Sequence, residues 1–273
     1  MKLYRTASGL VVEDNNRYHS SITATLDSLL TRDDLEQHLP ELIQGWAVVD
    51  GSSLRDLRAP IGSQEVWGAG VTYHRSRDAR MAESPDGANF YDRVYDADRP
   101  ELFFKATPYR VVGSNQKVAI RDDSQWSVPE PELALVITPH AKIVGYTIAN
   151  DISSRDIEGE NPLYLPQAKT YDRSCALGPA ILVSSKALPD STEIRMDILR
   201  AGKLGFSGAI TLAARKRTTE SLVSYLFRHC SFPSGCFLMT GTGIVPEDSF
   251  TLQQGDEIRI SIAGIGSLVN LVG

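Results

Sequence analysis

Two glutamates stand one residue apart at the start of an apolar segment, in the stretch PEPELALVI that begins at Pro129. In an extended strand, side chains two residues apart lie on the same face, so Glu130 and Glu132 are expected to lie together. Two carboxylates this close either have a raised pKa, stay in contact with water, or share a cation. A shared cation would make this segment part of a metal site, and it would require a further ligand.

A third carboxylate ends the next apolar segment, IVGYTIAND. The short turn TPHAK between the two segments predicts a β-hairpin, which would bring Asp151 back beside Glu130 and Glu132. Three oxygen ligands without histidine or cysteine are typical of Mg²⁺ or Mn²⁺ sites. The residues alone leave a second interpretation open, in which the two glutamates and their prolines form an exposed strand edge that resists aggregation.

The elements that must position these carboxylates are short apolar segments separated by Gly, Pro, Asn and Asp. From residue 65 onward they include EVWGAG, ELFFKA, ELALVI, AILVSS and EIRISI, which predicts a strand-rich domain over residues 63–273. TTESLVSYLFRH has the spacing of a helix, and residues 1–62 predict a small N-terminal domain with its own helix at LEQHL. Residues 83–100 lack apolar periodicity and predict a mobile loop over the site.

Composition excludes several classes of protein. A chain of 273 residues that is 42% hydrophobic predicts a globular protein, and its net charge of -6 without a basic run argues against a nucleic-acid partner. No apolar stretch approaches the roughly 20 residues that a membrane helix needs, and the first residues lack a cleavage site, which predicts a cytoplasmic protein. The three cysteines do not have the spacing of a zinc site or a disulfide framework.

Five blocks of sequence, taken in order, resemble the fumarylacetoacetate hydrolase family: PEPELALVI, GYTIANDISSRD, QAKTYDRSCALGPAIL, LMTGTG and QQGDEIRISIAGIGSLVN. The resemblance covers residues 65–272 and implies an α+β fold that is mainly β, a mixed β-sandwich roll with a small N-terminal α/β domain. It also implies a homodimer or homotetramer. In that family the glutamate pair and the first aspartate of the NDxSxRD block bind one divalent metal, which implies Glu130, Glu132 and Asp151 here. In the family, the metal coordinates the carboxylate and 2-oxo oxygens of a 2-oxo acid. The resemblance therefore implies that the substrate is a 2-oxo acid.

Other functional residues are implied block by block. Lys169 in QAKTYD corresponds to the lysine that lies near the metal in the family, where it is a possible base. Thr242 in TGTG corresponds to the threonine that hydrogen-bonds the substrate carboxylate. Gly243 replaces the proline that follows this threonine in the family, so the loop geometry is expected to differ there.

The chain departs from the hydrolytic members of the family at one block. Those members carry NYxxHxxE, whose histidine and glutamate activate water, whereas this chain reads TYHRSRDA, with Ser76 and Ala79 at the two positions. Loss of this pair favours a reaction without an attacking water, such as an elimination. His74 and Asp78 lie near the two positions, and a shifted pair formed by them stays open as an alternative.

The stretches GVTYHRSRDARMAES, RPELFFKATPYRVVG and EGENPLYLPQAK resemble the branch of the family that contains 2-keto-3-deoxy-pentonate dehydratases. In that branch the glutamate of RPELFFK, here Glu101, serves as a catalytic acid or base. The resemblance therefore implies a metal-dependent dehydration, with Lys169 removing a proton and Glu101 protonating the departing hydroxyl. Arg75, Ser76 and Arg93 are candidate substrate-binding residues. The alternatives are an acylpyruvate hydrolase or oxaloacetate decarboxylase of the same family, and a metal-binding protein without catalysis.

Overall fold

The computed structural model describes residues 1–83 and 88–273. Its helices are α1 (Leu26–Leu30), α2 (Leu35–Leu42), α3 (His74–Glu83), α4 (Ala88–Asp96), α5 (Arg155–Glu160), α6 (Leu165–Lys169) and α7 (Thr219–Leu226). Its strands are β1 (Lys2–Thr6), β2 (Gly9–Asp14), β3 (Arg17–Ser21), β4 (Ala47–Val49), β5 (Leu57–Arg58), β6 (Glu65–Gly70), β7 (Glu101–Ala106), β8 (Val111–Val112), β9 (Lys117–Val118), β10 (Ser127–Val128), β11 (Pro131–Ile137), β12 (Ile143–Asp151), β13 (Ser153–Ser154), β14 (Cys175–Val183), β15 (Glu193–Arg200), β16 (Lys203–Thr211), β17 (Cys236–Met239), β18 (Glu257–Ile262) and β19 (Gly266–Val272). Within the two described ranges, no helix has the length and apolar character needed to span a membrane.

A large mixed sheet carries the site. Twelve of the described strands belong to it, in the order β4-β3-β2-β1-β14-β12-β11-β17-β6-β7, with β5 beside β1 and β8 beside β14. The predicted hairpin is confirmed, because β11 and β12 are antiparallel neighbours in which Pro131 lies opposite Asn150. Strand β11 is flanked by β12 and β17 and is buried along its whole length. The interpretation of this segment as an exposed edge is therefore wrong.

Alternation along β11 divides the interior into two cores. Leu133, Leu135 and Ile137 lie in the core between the large sheet and a second sheet, whose order is β16-β15-β18-β19-β9. Ala134 and Val136 point to the opposite face, where the leucines of α1 and α2 cover the large sheet. Both faces of this strand are thus buried, and the side chains of successive residues enter different cores.

The N-terminal segment is continuous with the rest of the large sheet. Strand β1 pairs with β14, with Lys2 opposite Leu182, and β2 and β3 extend the sheet further. Leu3 and Leu10 share one core with Val66 and Phe237. The sheet and its core both run across residue 62. The domain boundary that was predicted there stays a prediction.

One helix occupies half of the segment that was expected to be a loop. Residues 88–96 form α4, so the prediction of a loop is wrong there, while residues 84–87 of the predicted loop lie outside the described residues. Tyr91, Val94 and Tyr95 have the spacing of one helical face, a pattern that the intervening charged residues conceal. Arg77 of α3 contacts the ring of Tyr95 and lies 3.7 Å from Asp92, which holds α3 and α4 together.

Candidate active site

The three predicted metal ligands meet at the open end of the β11–β12 hairpin. Glu130 immediately precedes β11, Glu132 lies within it, and Asp151 ends β12. One carboxylate oxygen from each residue lies within 4.8 Å of the others, and all three residues are buried. The strand register produces this cluster, because the backbone amide of Asp151 donates to the carbonyl of Glu130 at 2.9 Å.

Buried cations surround the carboxylates. Lys169 Nζ, at the end of α6, lies 2.7 Å from Glu130 Oε2 and 3.1 Å from Asp151 Oδ2. Lys105 of β7 is fully buried and pairs with the other oxygen of Asp151. Arg155 of α5 lies 2.7 Å from Glu130 Oε1. These pairs offset the cost of removing the carboxylates from water.

Glu130 is held in its charged form. Burial by itself would raise the pKa of Glu130, but the charges of Lys169, Arg155 and Arg80 act against burial and lower that pKa well below its usual range. A permanently charged carboxylate with several donors around it is suited to bind a cation.

Glu132 has the opposite tendency. Burial and the nearby charges of Asp151 and Glu130 raise its pKa well above the usual range, and one backbone amide, that of Gly241, donates to its Oε2. A proton on Glu132 would supply positive charge that reduces the repulsion from Asp151 and Glu130. A divalent ion would supply the same charge, and the all-oxygen donor set fits Mg²⁺ or Mn²⁺.

A small cavity opens onto the carboxylates, and Ser76, Arg80, Lys169 and Thr242 are among its lining residues. Ser76 Oγ, near the start of α3, donates to the Tyr73 carbonyl at 2.8 Å. Thr242, which follows β17, is buried, and its Oγ1 accepts from the Ile244 amide at 3.2 Å. Two of the predicted substrate-binding residues therefore lie beside the predicted metal ligands.

Glu101, at the start of β7, packs its carboxyl against Gly70 of the neighbouring strand. A Cβ on Gly70 would come within 2.0 Å of Glu101 Oε2, so only glycine leaves room for the carboxyl. Burial raises the pKa of Glu101, although the charges of Arg80 and Lys169 oppose the increase. A carboxyl that keeps its proton to higher pH is suited to act as a general acid.

The remaining predicted residues lie away from the described lining of the cavity. Arg75 Nη2 donates to the Val245 carbonyl at 2.9 Å, and Arg93 is exposed on α4. His74 and Asp78 are one turn apart on α3, lie 3.0 Å from each other, and are 65% and 51% exposed. Because this segment is a helix, the two residues face solvent and pair with each other.

Sequence reasoning missed four buried charged residues around the site: Arg80, Lys105, Arg155 and Glu158. Two of them could have been found from the sequence. Lys105 is a charged residue near the end of the apolar segment ELFFKA, and Arg155 belongs to the NDISSRD block. No local sequence pattern marks Arg80 or Glu158, because their contact joins α3 to α5 across the fold.

Comparison with known proteins agrees with this site. Residues 65–273 match the family model described as fumarylacetoacetate (FAA) hydrolase, C-terminal. The chain belongs to the fumarylacetoacetate hydrolase family. Within this family, a probable 2-keto-3-deoxyxylonate dehydratase of Haloferax volcanii is 45% identical over 89% of this chain and 84% of the relative. A 2-dehydro-3-deoxy-D-arabinonate dehydratase of Saccharolobus solfataricus is 38% identical over 100% of this chain and 96% of the relative.

Solved structures of the fumarylacetoacetate hydrolase family have the same fold. A 2-keto-3-deoxy-D-arabinonate dehydratase complexed with magnesium and 2,5-dioxopentanoate matches with a TM-score of 0.86 and 37% identity, over 100% of this chain and 98% of the other. The predicted family and the mainly β fold are confirmed.

Proposed function

We propose that the protein dehydrates a 2-keto-3-deoxy-pentonate to 2,5-dioxopentanoate and that the reaction depends on Mg²⁺ or Mn²⁺. The observation that carries the proposal is the cluster of three buried carboxylates within 4.8 Å of one another, at a cavity that Lys169 also lines. The carboxyl of Glu101, whose pKa is raised by burial, lies nearby. The two dehydratase relatives, at 45% and 38% identity, support the same reaction.

The side chains divide the chemistry between them. Glu130, Glu132 and Asp151 would hold the ion, which when bound supplies a Lewis acid for the 2-oxo group of the substrate and acidifies the protons on carbon 3. Lys169 removes one of these protons. Its Nζ lies 2.7 Å from Glu130 Oε2 and 3.1 Å from Asp151 Oδ2, which places it beside the proposed metal ligands.

Glu101 acts at the next carbon. It donates its proton to the hydroxyl on carbon 4, which leaves as water while the electron pair of the broken C3–H bond forms the C3–C4 double bond. The unsaturated 5-hydroxy acid then tautomerises, and its terminal alcohol becomes the aldehyde of 2,5-dioxopentanoate. Thr242 hydrogen-bonds the substrate carboxylate.

Elimination is favoured over hydrolysis because of what lies at the position of the water-activating pair. Ser76 replaces the histidine, and its hydroxyl is hydrogen-bonded to the Tyr73 backbone. His74 and Asp78 are mainly exposed. Among the residues that the structure describes, no histidine lines the cavity at the carboxylates.

The test is direct identification of products. Purified protein with Mg²⁺ is incubated separately with a 2-keto-3-deoxy-pentonate, an acylpyruvate and oxaloacetate, and the products are identified by mass spectrometry. Loss of one water from the first substrate alone is expected. Release of pyruvate or of carbon dioxide would instead indicate a carbon–carbon hydrolase or a decarboxylase, and inactivity towards all three with retained metal binding would indicate a protein without catalysis.

We also propose that the protein is cytoplasmic and forms a homodimer or homotetramer. This proposal follows from the family resemblance, and cell fractionation together with light scattering of the purified protein tests it.

A further inference from the structure

A buried arginine of α3 has no role in the reaction as described above. Arg80 is 9% exposed and lines the cavity at the carboxylates. Its guanidinium pairs with Glu158 of α5, which is 1% exposed and is not among the described lining residues. Glu158 therefore fixes the arginine from behind, on the side away from the cavity.

Arg80 is not the main counter-ion of the metal ligand beside it. Its Nη2 lies 3.5 Å from Glu130 Oε1, whereas Arg155 Nη2 lies 2.7 Å from the same oxygen and Lys169 Nζ lies 2.7 Å from Oε2. Both oxygens of Glu130 thus have closer cationic partners. The position of Arg80 at the cavity wall needs another explanation.

Arg80 and Thr242 both line the cavity at the carboxylates. Thr242 follows Gly241, whose amide donates to Glu132, and Arg80 lies 3.5 Å from Glu130. The charge of Arg80 also acts on the carboxyl of Glu101, which places the guanidinium near the proposed acid. A substrate that presents its carbon 4 hydroxyl to Glu101 therefore presents it to Arg80 as well.

We propose that Arg80 binds the hydroxylated end of the substrate, and that Glu158 positions its guanidinium for this contact. The proposal rests on the proposed function. A guanidinium presents five N–H donors in a planar fork, so it can serve Glu158 and substrate hydroxyls at once. As the carbon 4 hydroxyl departs as water with the proton of Glu101, the adjacent cation stabilises the negative charge that develops on the Glu101 carboxylate. Arg80 thereby selects 2-oxo acids that carry a hydroxyl on carbon 4.

The experiment compares two ligands in the parent protein and in three variants. Arg80→Met removes the guanidinium, and Arg80→Lys keeps the buried charge but not the fork. Arg77→Met removes a cation of the same helix that is not among the described lining residues of the cavity and that pairs with Asp78. Pyruvate has the carboxylate and the 2-oxo group but no hydroxyl, so it reports on the metal and Thr242 alone. A 4-hydroxy-2-oxo acid reports on the additional contact.

In Arg80→Met we expect kcat/KM for the 2-keto-3-deoxy-pentonate to fall about 100-fold, in the range that one positioned donor to a developing charge contributes. Arg80→Lys should retain part of this activity and Arg77→Met nearly all of it. Pyruvate should inhibit all variants with an unchanged inhibition constant. Mn²⁺ should bind Arg80→Met as tightly as the parent or more tightly, because a cation near Glu130 has been removed.

Parallel loss of Mn²⁺ and pyruvate binding in Arg80→Met would overturn the proposal and assign Arg80 a structural role at Glu130. Unchanged kcat/KM would overturn it as well. Should Arg80→Met fail to fold, Arg80→Lys decides, since it must still bind the hydroxylated acid more weakly than the parent while binding pyruvate equally. If the parent protein does not dehydrate the substrate, the proposed function fails, and the ratio of the two ligands' affinities in Mn²⁺-loaded protein tests the role of Arg80 without turnover.

Discussion

Glu132 is the carboxyl of the proposed metal site that favours its protonated form when no metal is bound. Burial and the neighbouring carboxylates of Asp151 and Glu130 raise the pKa of Glu132 well above the usual range. Between the ordinary pKa of a glutamate and this raised one, the metal-free folded chain binds one proton more than the unfolded chain. Its stability should therefore fall as pH rises through the window, with a limiting slope of about 1.4 kcal/mol per pH unit.

The first prediction concerns the stabilisation by metal. Because the ion replaces the proton on Glu132, its stabilising effect should increase with pH above the ordinary pKa of a glutamate. The melting temperatures of EDTA-treated and Mg²⁺-loaded protein, compared from about pH 5 to about pH 8, measure this effect. A difference that stays constant or shrinks towards high pH would contradict the assignment of Glu132.

The second prediction separates the acid from the metal ligands. Glu101→Gln keeps the shape of the side chain but cannot donate a carboxyl proton, so kcat should fall by about 10²-fold to 10⁴-fold. Mn²⁺ affinity should stay unchanged, because the metal ligands are other residues. Glu65→Gln, on the neighbouring strand at an exposed position, is the matched control and should leave both quantities unchanged. Weakened Mn²⁺ binding in Glu101→Gln would identify Glu101 as a metal ligand.

The sequence predicts the residues of the site unequally. Glu130, Glu132 and Asp151 follow from strand alternation and a short turn, both of which are local properties of the chain. The contacts of Arg80 and Lys105 depend on which helix and which strand meet over the carboxylates. No local pattern contains that information, so these two residues became visible only in the folded structure.

At the scale of elements, the turn after β17 shows how backbone geometry serves the site. Gly241 has φ 87°, a conformation that side-chain-bearing residues rarely adopt, and its amide donates to Glu132. A Cβ there would lie 2.0 Å from Thr72 Oγ1 and 2.9 Å from the Ala69 carbonyl. The backbone carbonyl cannot move aside as easily as a flexible side chain, so the turn itself would have to shift.

The third prediction follows from this turn. Gly241→Ala should lower the free energy of unfolding by about 1–3 kcal/mol and weaken Mn²⁺ binding at least tenfold, because the amide is drawn away from Glu132. Gly202→Ala, in the β15–β16 turn, is the control, since Gly202 has φ 76° but no atom within 4 Å of an added Cβ. It should share the backbone strain without the loss of metal. Urea unfolding and Mn²⁺ titration measure the two effects, and equal Mn²⁺ affinities in both variants would refute the role of the turn.

The sequence also predicts some helices and strands better than others. The strands predicted from residue 65 onward, such as β6, β7, β11 and β12, and the helix α7 follow clear sequence patterns, and the structure confirms them. Helix α4 was missed because its apolar face is narrow, and much of its order comes from partners far along the chain. Arg217 donates to the carbonyls of Val94, Ala97 and Asp98 at the end of this helix, and Lys216 pairs with Asp96. Contacts over so long a separation leave no trace in a window of neighbouring residues.

For the whole molecule, the large sheet makes the N-terminal segment part of the catalytic fold. Strand β1 covers the edge of β14, and Leu3, Leu10 and the leucines of α1 and α2 cover one face of the sheet that carries the metal ligands. Without them a strand edge and a broad apolar face would be exposed. The sequence predicted a separate small domain because its short apolar segments do not reveal which strand they pair with.

The fourth prediction tests that division. A chain of residues 63–273 should aggregate or lack a cooperative unfolding transition, and it should not bind Mn²⁺. The full chain should unfold cooperatively and should bind Mn²⁺. Circular dichroism during heating and Mn²⁺ titration of the two proteins, purified in parallel, give the answer. A soluble fragment with a sharp transition would instead support an independent domain ending at residue 62.

The proposed metal ligands lie in or next to strands of a sheet that is packed on both faces, whereas Ser76 and Arg80 reach the cavity from α3, a helix of ten residues. Substitutions in that helix leave the strand pairings of β11 and β12 untouched. Descendants of one ancestral enzyme can therefore acquire a new reaction by rewriting a single helix while inheriting the metal site intact. For a laboratory search for hydrolase activity on this scaffold, positions 74–83 are accordingly the first segment to randomise.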